Sequence, residues 1–237
     1  MDGGRSKFIL GPGEIRKMKK EYWLERWRQE EIGFHQSEIN SYLRQYWPEL
    51  QIAPGKQIFV PFCGKSRDMI WLREQNLSVL GVELSPLAVE AFFKENGYSP
   101  RHTVGEKFDQ WDADGIRILC GDFFDLKKND LAEMGAVYDR ASLIALPPET
   151  RRAYADHLLR ILPPAIPILL VTFDYPQSEM SGPPFAVSTA EVEALYGKHA
   201  DIRLLTKLDV LAENSRFQQR GVSQLQESIF LLTTLAA

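Results

Sequence analysis

A few places in this chain carry side chains whose type and spacing suit them to chemistry: Gly64, Glu83, Asp122 and the pair Asp139-Arg140. Glu83 follows the break at Pro61 to Gly64 by about twenty residues and ends a second apolar run; an acid there accepts hydrogen bonds from the two hydroxyls of a ribose. Gly64 lets the backbone approach a ligand closely, since no Cβ stands in the way, or it serves only the turn. Asp122 closes a third run, where a carboxylate can meet the exocyclic amine of an adenine or cap the next turn. Phe123 beside it can stack on the base or fill core. Asp139-Arg140 ends a fourth run and is either a structural ion pair or an active-site pair. Arginine is no base at neutral pH, but it holds a carboxylate or stabilises a developing anion. Trp23, Trp27 and Phe34 are either the core face of a helix or an aromatic cover over a cation and a planar ring. His35 is a candidate base.

The elements that must position these residues follow from apolar periodicity and breakers. Ile58 to Met69 begins as a buried strand, breaks at Pro61 and Gly64, and resumes as a helix, Arg67 to Gln75. Strand, tight loop and helix in that order open the ligand crevice of an open α/β sheet. Ser78 to Val82 is the second strand, and Ser85-Pro86 supplies the N-cap and first position of a helix ending before Gly97. Lys107 to Trp111 and Ile116 to Cys120 flank Asp112-Ala113-Asp114-Gly115, the punctuation of a hairpin. Ala136 to Arg140 is a fourth short strand, and Glu149 to Leu162 is a helix. Ile166 to Phe173 reads as a strand covered on both faces. Ser188 caps a helix to Tyr196. Ile202 to Leu211 and Glu227 to Leu235 are the last strands; with no helix between them they should pair antiparallel. Upstream, Glu21 to Glu31 is a helix with Trp23, Leu24 and Trp27 on one face, and Ser37 caps a second helix to Tyr46.

An alternating βα chain with an antiparallel end matches the Rossmann-like, seven-stranded α/β sheet of S-adenosylmethionine-dependent methyltransferases. That sheet is mostly parallel with an antiparallel last strand, has helices on both faces, and here would carry an N-terminal helical flap. No G-x-G-x-x-G or P-loop is present, which disfavours a pyrophosphate ligand; a nucleoside with an amino-acid tail suits this loop. Residues 1–20, with five glycines and prolines, read as a flexible extension or leader, and 21–237 as a single domain.

Hydrophobic residues at 44% and charged residues at 25% are ordinary for a globular protein. A net charge of -4 gives no reason to expect nucleic acid or an acidic membrane as partner. No apolar run reaches the roughly 18 residues that span a bilayer. Cys63 and Cys120 are too few for a disulfide framework and fit buried thiols in a cytoplasmic protein. Nothing has metal-ligand spacing, and nothing suggests an obligate interface, so a monomer is expected.

Trp23-Leu24-Glu25-Arg26-Trp27, Phe34-His35, Val60-Pro61-Phe62-Cys63-Gly64-Lys65-Ser66, Gly81-Val82-Glu83, Tyr138-Asp139-Arg140-Ala141 and Gly182-Pro183-Pro184-Phe185 together resemble the thiopurine S-methyltransferase family. The resemblance implies S-adenosylmethionine as methyl donor, S-adenosylhomocysteine as product, and an aromatic or heterocyclic thiol as acceptor. It implies that Trp27, the backbone at Phe62, Gly64, Glu83 and Arg140 hold the donor, with Asp122 and Phe123 at the adenosine. Trp23 to Phe34 would form the closing flap, and Phe34, Phe185 and Arg216 would meet the acceptor. Arg140, oriented by Asp139 and joined by Arg216, would favour the thiolate. Relatives of the family methylate halide, thiocyanate or selenium and tellurium oxyanions, which is the alternative acceptor class.

Overall fold

The computed structural model describes residues 12–33 and 35–235. In chain order its elements are α1 (Pro12–Arg28), α2 (Ser41–Tyr46), β1 (Gln57–Pro61), α3 (Asp68–Glu74), β2 (Ser78–Glu83), α4 (Pro86–Glu95), β3 (Arg101–Thr103), β4 (Asp109–Ala113), β5 (Ile116–Cys120), β6 (Met134–Asp139), α5 (Ser142–Ala145), α6 (Pro148–Ile161), β7 (Pro167–Asp174), α7 (Thr189–Tyr196), β8 (Ala200–Asp209), α8 (Ser215–Gln219) and β9 (Gln226–Thr234). All strands join one nine-stranded sheet in the order β3-β4-β5-β2-β1-β6-β7-β9-β8.

The inner strands β5, β2, β1, β6 and β7 are parallel, and β9 runs antiparallel to both β7 and β8. The expected seven-stranded sheet is thus extended by two, β3 and β4, which add an antiparallel edge. Parallel pairing dominates the centre alone, so the sheet is mixed rather than mostly parallel. Alternate side chains of each strand enter different cores, as the period of two requires. Phe59, Leu80, Val82, Val137, Leu170 and Phe230 pack against α5, α6 and α7. Ile58, Val60, Val79, Tyr138, Leu169 and Ile229 pack against α2, α3 and α4.

Ser85 caps α4 and Ser188 caps α7 as expected. Other boundaries differ. Helix α1 starts at Pro12, inside the segment expected to be an extension, and 1–11 lie outside the described residues. Helix α2 is capped by Asn40 rather than Ser37, through Oδ1 accepting from Tyr42 and Leu43 N–H. A short helix, α8, does lie between the last two strands, where none was expected. The outer strand β8 has a register shift between Leu204 and Thr206, and β3 is a three-residue strand, exposed throughout. Among the described residues no helix is long and apolar enough to cross a membrane.

Candidate active site

The parallel strands β1, β2 and β6 end at one edge of the sheet, and that edge carries the site. Past β1 the chain turns through left-handed conformations at Phe62 (φ 47°) and Gly64 (φ 51°). Gly64 is at home there; a bulky residue such as Phe62 adopts that region only where its surroundings hold it. The Phe62 ring packs on Phe123 at 5.4 Å and Tyr154 at 5.5 Å between centroids. The turn brings Gly64 N–H to Glu83 Oε2 at 2.9 Å, while Ser85 N–H donates to Oε1 at 2.8 Å. Glu83 is buried, which pushes its pKa up; the N–H groups of Ser85, Gly64 and Leu84 pull it back. Each carboxylate oxygen keeps a second lone pair. Two ribose hydroxyls can therefore donate to Glu83 while its backbone partners stay in place. Trp27, 8% exposed, covers the turn: a Cβ on Gly64 would stand 3.3 Å from its ring. A buried acid held by the loop after β1, with space for backbone alone beneath an indole, fits a nucleoside donor.

Asp122 follows β5 at the same edge. Its Oδ1 accepts from Phe124 N–H at 3.0 Å, and Lys20 of α1 pairs with Oδ2 at 2.5 Å. Asp122 thus caps the turn Phe123–Asp125, and its other oxygen faces a cation. Phe123 is 2% exposed within a cluster of Phe59, Phe62, Phe124 and Tyr154, so its ring fills core. Trp23 stands edge-on to Tyr22 at 5.3 Å.

Arg140 and Asp139 part company. Asp139 is fully buried on the α6 face, where Tyr154 O–H donates to Oδ2 at 2.6 Å and Ser142 N–H to Oδ1 at 3.3 Å. It does not orient Arg140. Asp68, at the start of α3, takes that part: Arg140 Nε lies 3.2 Å from its Oδ2. Asp68 also accepts from Tyr138 O–H at 3.0 Å and Asn40 N–H at 2.8 Å. Adjacent strand residues face opposite sides, so Tyr138 and Arg140 share a face that Asp139 leaves.

Burial raises the Asp139 pKa from 3.8 to about 6, against the Tyr154 and Ser142 hydrogen bonds. A carboxyl raised on folding contributes stability that is full below its unfolded pKa and is lost as pH rises through its folded one. Asp139→Asn cannot titrate. Its stability relative to wild type should therefore improve between about pH 4 and 7, by on the order of 3 kcal/mol for two pKa units. Urea unfolding of both proteins across that window measures this, and a pH-independent difference would sink it.

On the acceptor side, Phe34 lies outside the described residues. Arg216 packs against the loop just before it: a Cβ on Gly33 would fall on the Arg216 guanidinium. Burial and then the nearby Arg220 and Arg26 lower the Arg216 pKa, although it stays a cation at neutral pH. Phe185 N–H donates to Ile144 O at 2.7 Å, and Arg151 lies over the Phe185 ring at 5.9 Å. Arg151 is fully buried, with its Nη1 on both oxygens of Glu191 at 2.6 and 2.7 Å and its Nε on the carbonyls of Leu143 and Leu146. It ties the Phe185 loop to α5 and α7. A cleft of about 370 Å³ is lined by Tyr22, Arg26, Met180, Gly182, Pro183 and Arg220, and another of about 330 Å³ by Arg26, Gly33, Arg216 and Arg220 among others. Both open between α1 and the segment 179–220, and neither is lined by Glu83 or Arg140; the donor side is instead covered by Trp27. Among the described residues no group of three or more His, Cys, Asp or Glu could hold a metal ion.

Asp68 and Lys20 are the residues at this edge that periodicity did not pick out. Asp68 could have been found from its place in Lys65-Ser66-Arg67-Asp68, the first helical turn beside the crevice.

Comparison with known proteins shows the family and the fold. The family model described as "Thiopurine S-methyltransferase (TPMT)" matches residues 18–235. A thiopurine S-methyltransferase of Nitrosospira multiformis is 84% identical over 220 residues, spanning 93% of this chain and 100% of the relative. One of Azotobacter vinelandii is 47% identical over 215 residues, 91% of this chain and 99% of the relative. Among solved structures, a Burkholderia thailandensis 1,6-didemethyltoxoflavin-N1-methyltransferase with bound S-adenosylhomocysteine superposes with a TM-score of 0.66 at 12% identity, covering 100% of this chain and 94% of that one. At that identity the likeness concerns the fold alone.

Proposed function

The chain belongs to the thiopurine S-methyltransferase family, and on that premise we propose how its residues divide the work of moving a methyl group from S-adenosylmethionine to the sulfur of an aromatic or heterocyclic thiol. It is an S-adenosylmethionine-dependent thiol methyltransferase. The donor, when bound, supplies an electrophilic methyl group on a sulfonium and leaves as S-adenosylhomocysteine. Glu83 takes the ribose hydroxyls, and the loop from Phe62 to Gly64 takes the amino-acid tail through its backbone. Asp122 exchanges Lys20 for the adenine amine. Phe123 supports that loop from the core. Helix α1 acts as a flap, with Trp23 and Trp27 over the donor; the Trp27 ring on Gly64 supports this.

Arg140 and Arg216 favour the thiolate, and Phe34 and Phe185 frame the acceptor ring. Asp139 anchors the end of β6 through Tyr154, while Asp68 orients Arg140. The chain's main contribution is alignment and exclusion of water, worth roughly 7–11 kcal/mol when two reactants are held in register. We take residues 21–237 as one catalytic domain acting as a cytoplasmic monomer without nucleic-acid or membrane partners. The single sheet and the two free cysteines support that reading.

The observation that carries the reading is Glu83, a buried acid at the tip of β2 that holds the loop after β1. A second acceptor class, small oxyanions of selenium or tellurium or a halide or thiocyanate, is favoured by Arg26, Arg216 and Arg220 around the 330 Å³ cleft. The test is transfer from labelled S-adenosylmethionine to a thiopurine, an aromatic thiol, iodide and selenite. Turnover on the thiopurine or thiol supports the first reading; turnover confined to iodide or selenite supports the second.

A further inference from the structure

The end of the sheet past Arg140 is uneven. Asp139 pairs with Leu170, and Leu170 with Phe230, whereas Glu227 pairs with Phe173, three positions further along β7. At about 3.3 Å per residue, β7 and β9 stand roughly 10 Å beyond the last residue of β6. They form a wall beside the place where Arg140 emerges. Glu227 lies on that wall. By alternation from Ile229 it is on the α2 and α3 face, the face of Tyr138, Asp68 and Arg140.

The side chain is 8% exposed, hydrogen-bonded to Tyr42 of α2, and near enough to Arg140 to feel its charge. The other ionisable groups around it are Tyr138 from β6 and Glu213 from the turn before α8, with Asp68 of α3 reached through Tyr138 and Tyr46 next to Tyr42. Asp174 and Lys207 of the flanking strands pair with each other at 3.6 Å on the opposite face. Among the described residues no lysine or arginine forms an ion pair with Glu227 that would account for an acid held out of water. A structural acid in such a place is normally paired or replaced by an amide.

We propose that the Glu227 carboxylate accepts the proton that leaves the acceptor thiol; this rests on the thiol-methyltransferase reading above. The proton passes from S–H to a carboxylate oxygen, directly or through one water. The electron pair it leaves stays on sulfur and forms the new S–CH₃ bond as the donor's carbon–sulfonium bond breaks. The proton then returns to solvent when the product departs. Arg140 holds the charge that develops between them. Burial raises the Glu227 pKa to about 7, with Tyr42 and Arg140 pulling it down, so the group can both take and release a proton near neutrality. His35 is the other candidate near Arg140, but burial and the Lys65 charge lower its pKa, which makes it the weaker base.

The test compares two acceptors across pH: an alkyl thiol, protonated at neutral pH, and a nitrothiophenol, already a thiolate. The acceptor group must be ionised to take a proton, so wild-type kcat/KM on the alkyl thiol should rise through a limb near pH 7. Glu227→Gln should remove that limb and lower kcat/KM on the alkyl thiol about 100-fold, with a far smaller loss on the thiolate. Tyr42→Phe removes a hydrogen bond that lowers the Glu227 pKa, so its limb should move to higher pH. In ligand-free protein, ¹³C NMR of labelled glutamate should show a carboxyl titrating near 7 that is absent from Glu227→Gln. Equal losses on both acceptors, or a limb unmoved in both variants, would overturn the proposal. Should Glu227→Gln fail to fold, the upward shift of the limb and of the NMR titration in Tyr42→Phe decides it. Wild-type inactivity on both thiols would instead remove the thiol reading beneath it.

Discussion

Replacing Arg140 by alanine should cost turnover and stability together, by separable routes. Arg140 Nε is the cation beside Asp68, whose side chain is 2% exposed. Removing one partner of a buried pair leaves the other charge without compensation, a loss of about 3–5 kcal/mol. Here the loss should fall near the low end, because Asp68 keeps Tyr138 O–H and Asn40 N–H. Turnover should fall about 10²–10³-fold, the range for deleting a donor aimed at developing charge. Asp68→Asn in the same protein removes the orphaned charge, so the double variant should regain most of the stability and none of the rate. Urea unfolding and kcat on one acceptor read the two routes. An Arg140→Ala protein as stable and as active as wild type would refute both parts.

Glu83→Ala should act on donor binding above all. Wild-type Glu83 accepts from Gly64 and Ser85 N–H, and its free lone pairs are the ones offered to the ribose. Alanine removes two charged hydrogen bonds to the donor, each about 1.5–3 kcal/mol, and unties the loop that shapes the site. Donor Kd should rise by about 10²–10⁴-fold on that basis. Stability should change less, because the variant also loses an acid that burial disfavours. Glu83→Gln should not rescue binding, since its NH₂ would face a backbone N–H. Calorimetry with S-adenosylhomocysteine decides the matter; unchanged affinity would remove the ribose role.

Much of this architecture was legible in the residues because burial and turn chemistry act locally. The runs at β1, β2 and β7 are buried strands, and Asp114-Gly115, inside the expected Asp112 to Gly115 punctuation, makes the β4–β5 turn while Asp112 and Ala113 stay paired in β4. Strand β3 escaped because Arg101, His102 and Thr103 are all exposed and show no apolar alternation. The start of α1 was hidden by its flanking glycines and prolines. At the site, position along the chain located Glu83, Asp122 and Arg140 at one edge. What it missed was partnership. Asp139 and Arg140 look like a pair when written side by side, yet a strand sends neighbours to opposite faces. The true partner, Asp68, is separated from Arg140 by the five strands β2 to β6 and the helices α3 and α4, and meets it only through the packing of α3 on β6.

The two rims of the sheet bear on how the molecule behaves among its own copies. An outer strand with free backbone groups is a template on which another chain can add. At one rim β3 offers three residues, two of them Arg101 and His102, too short and too polar to hold a further strand. At the other, β8 is long, but its register breaks between Leu204 and Thr206, and it carries Arg203, Lys207 and Asp209 on its exposed surface. A straight neighbour could not follow that break and would bring its own charges against these. The rims thus act as guards against edge-to-edge growth. Substitutions that straighten β8 or strip its charges would endanger solubility before they touched the crevice.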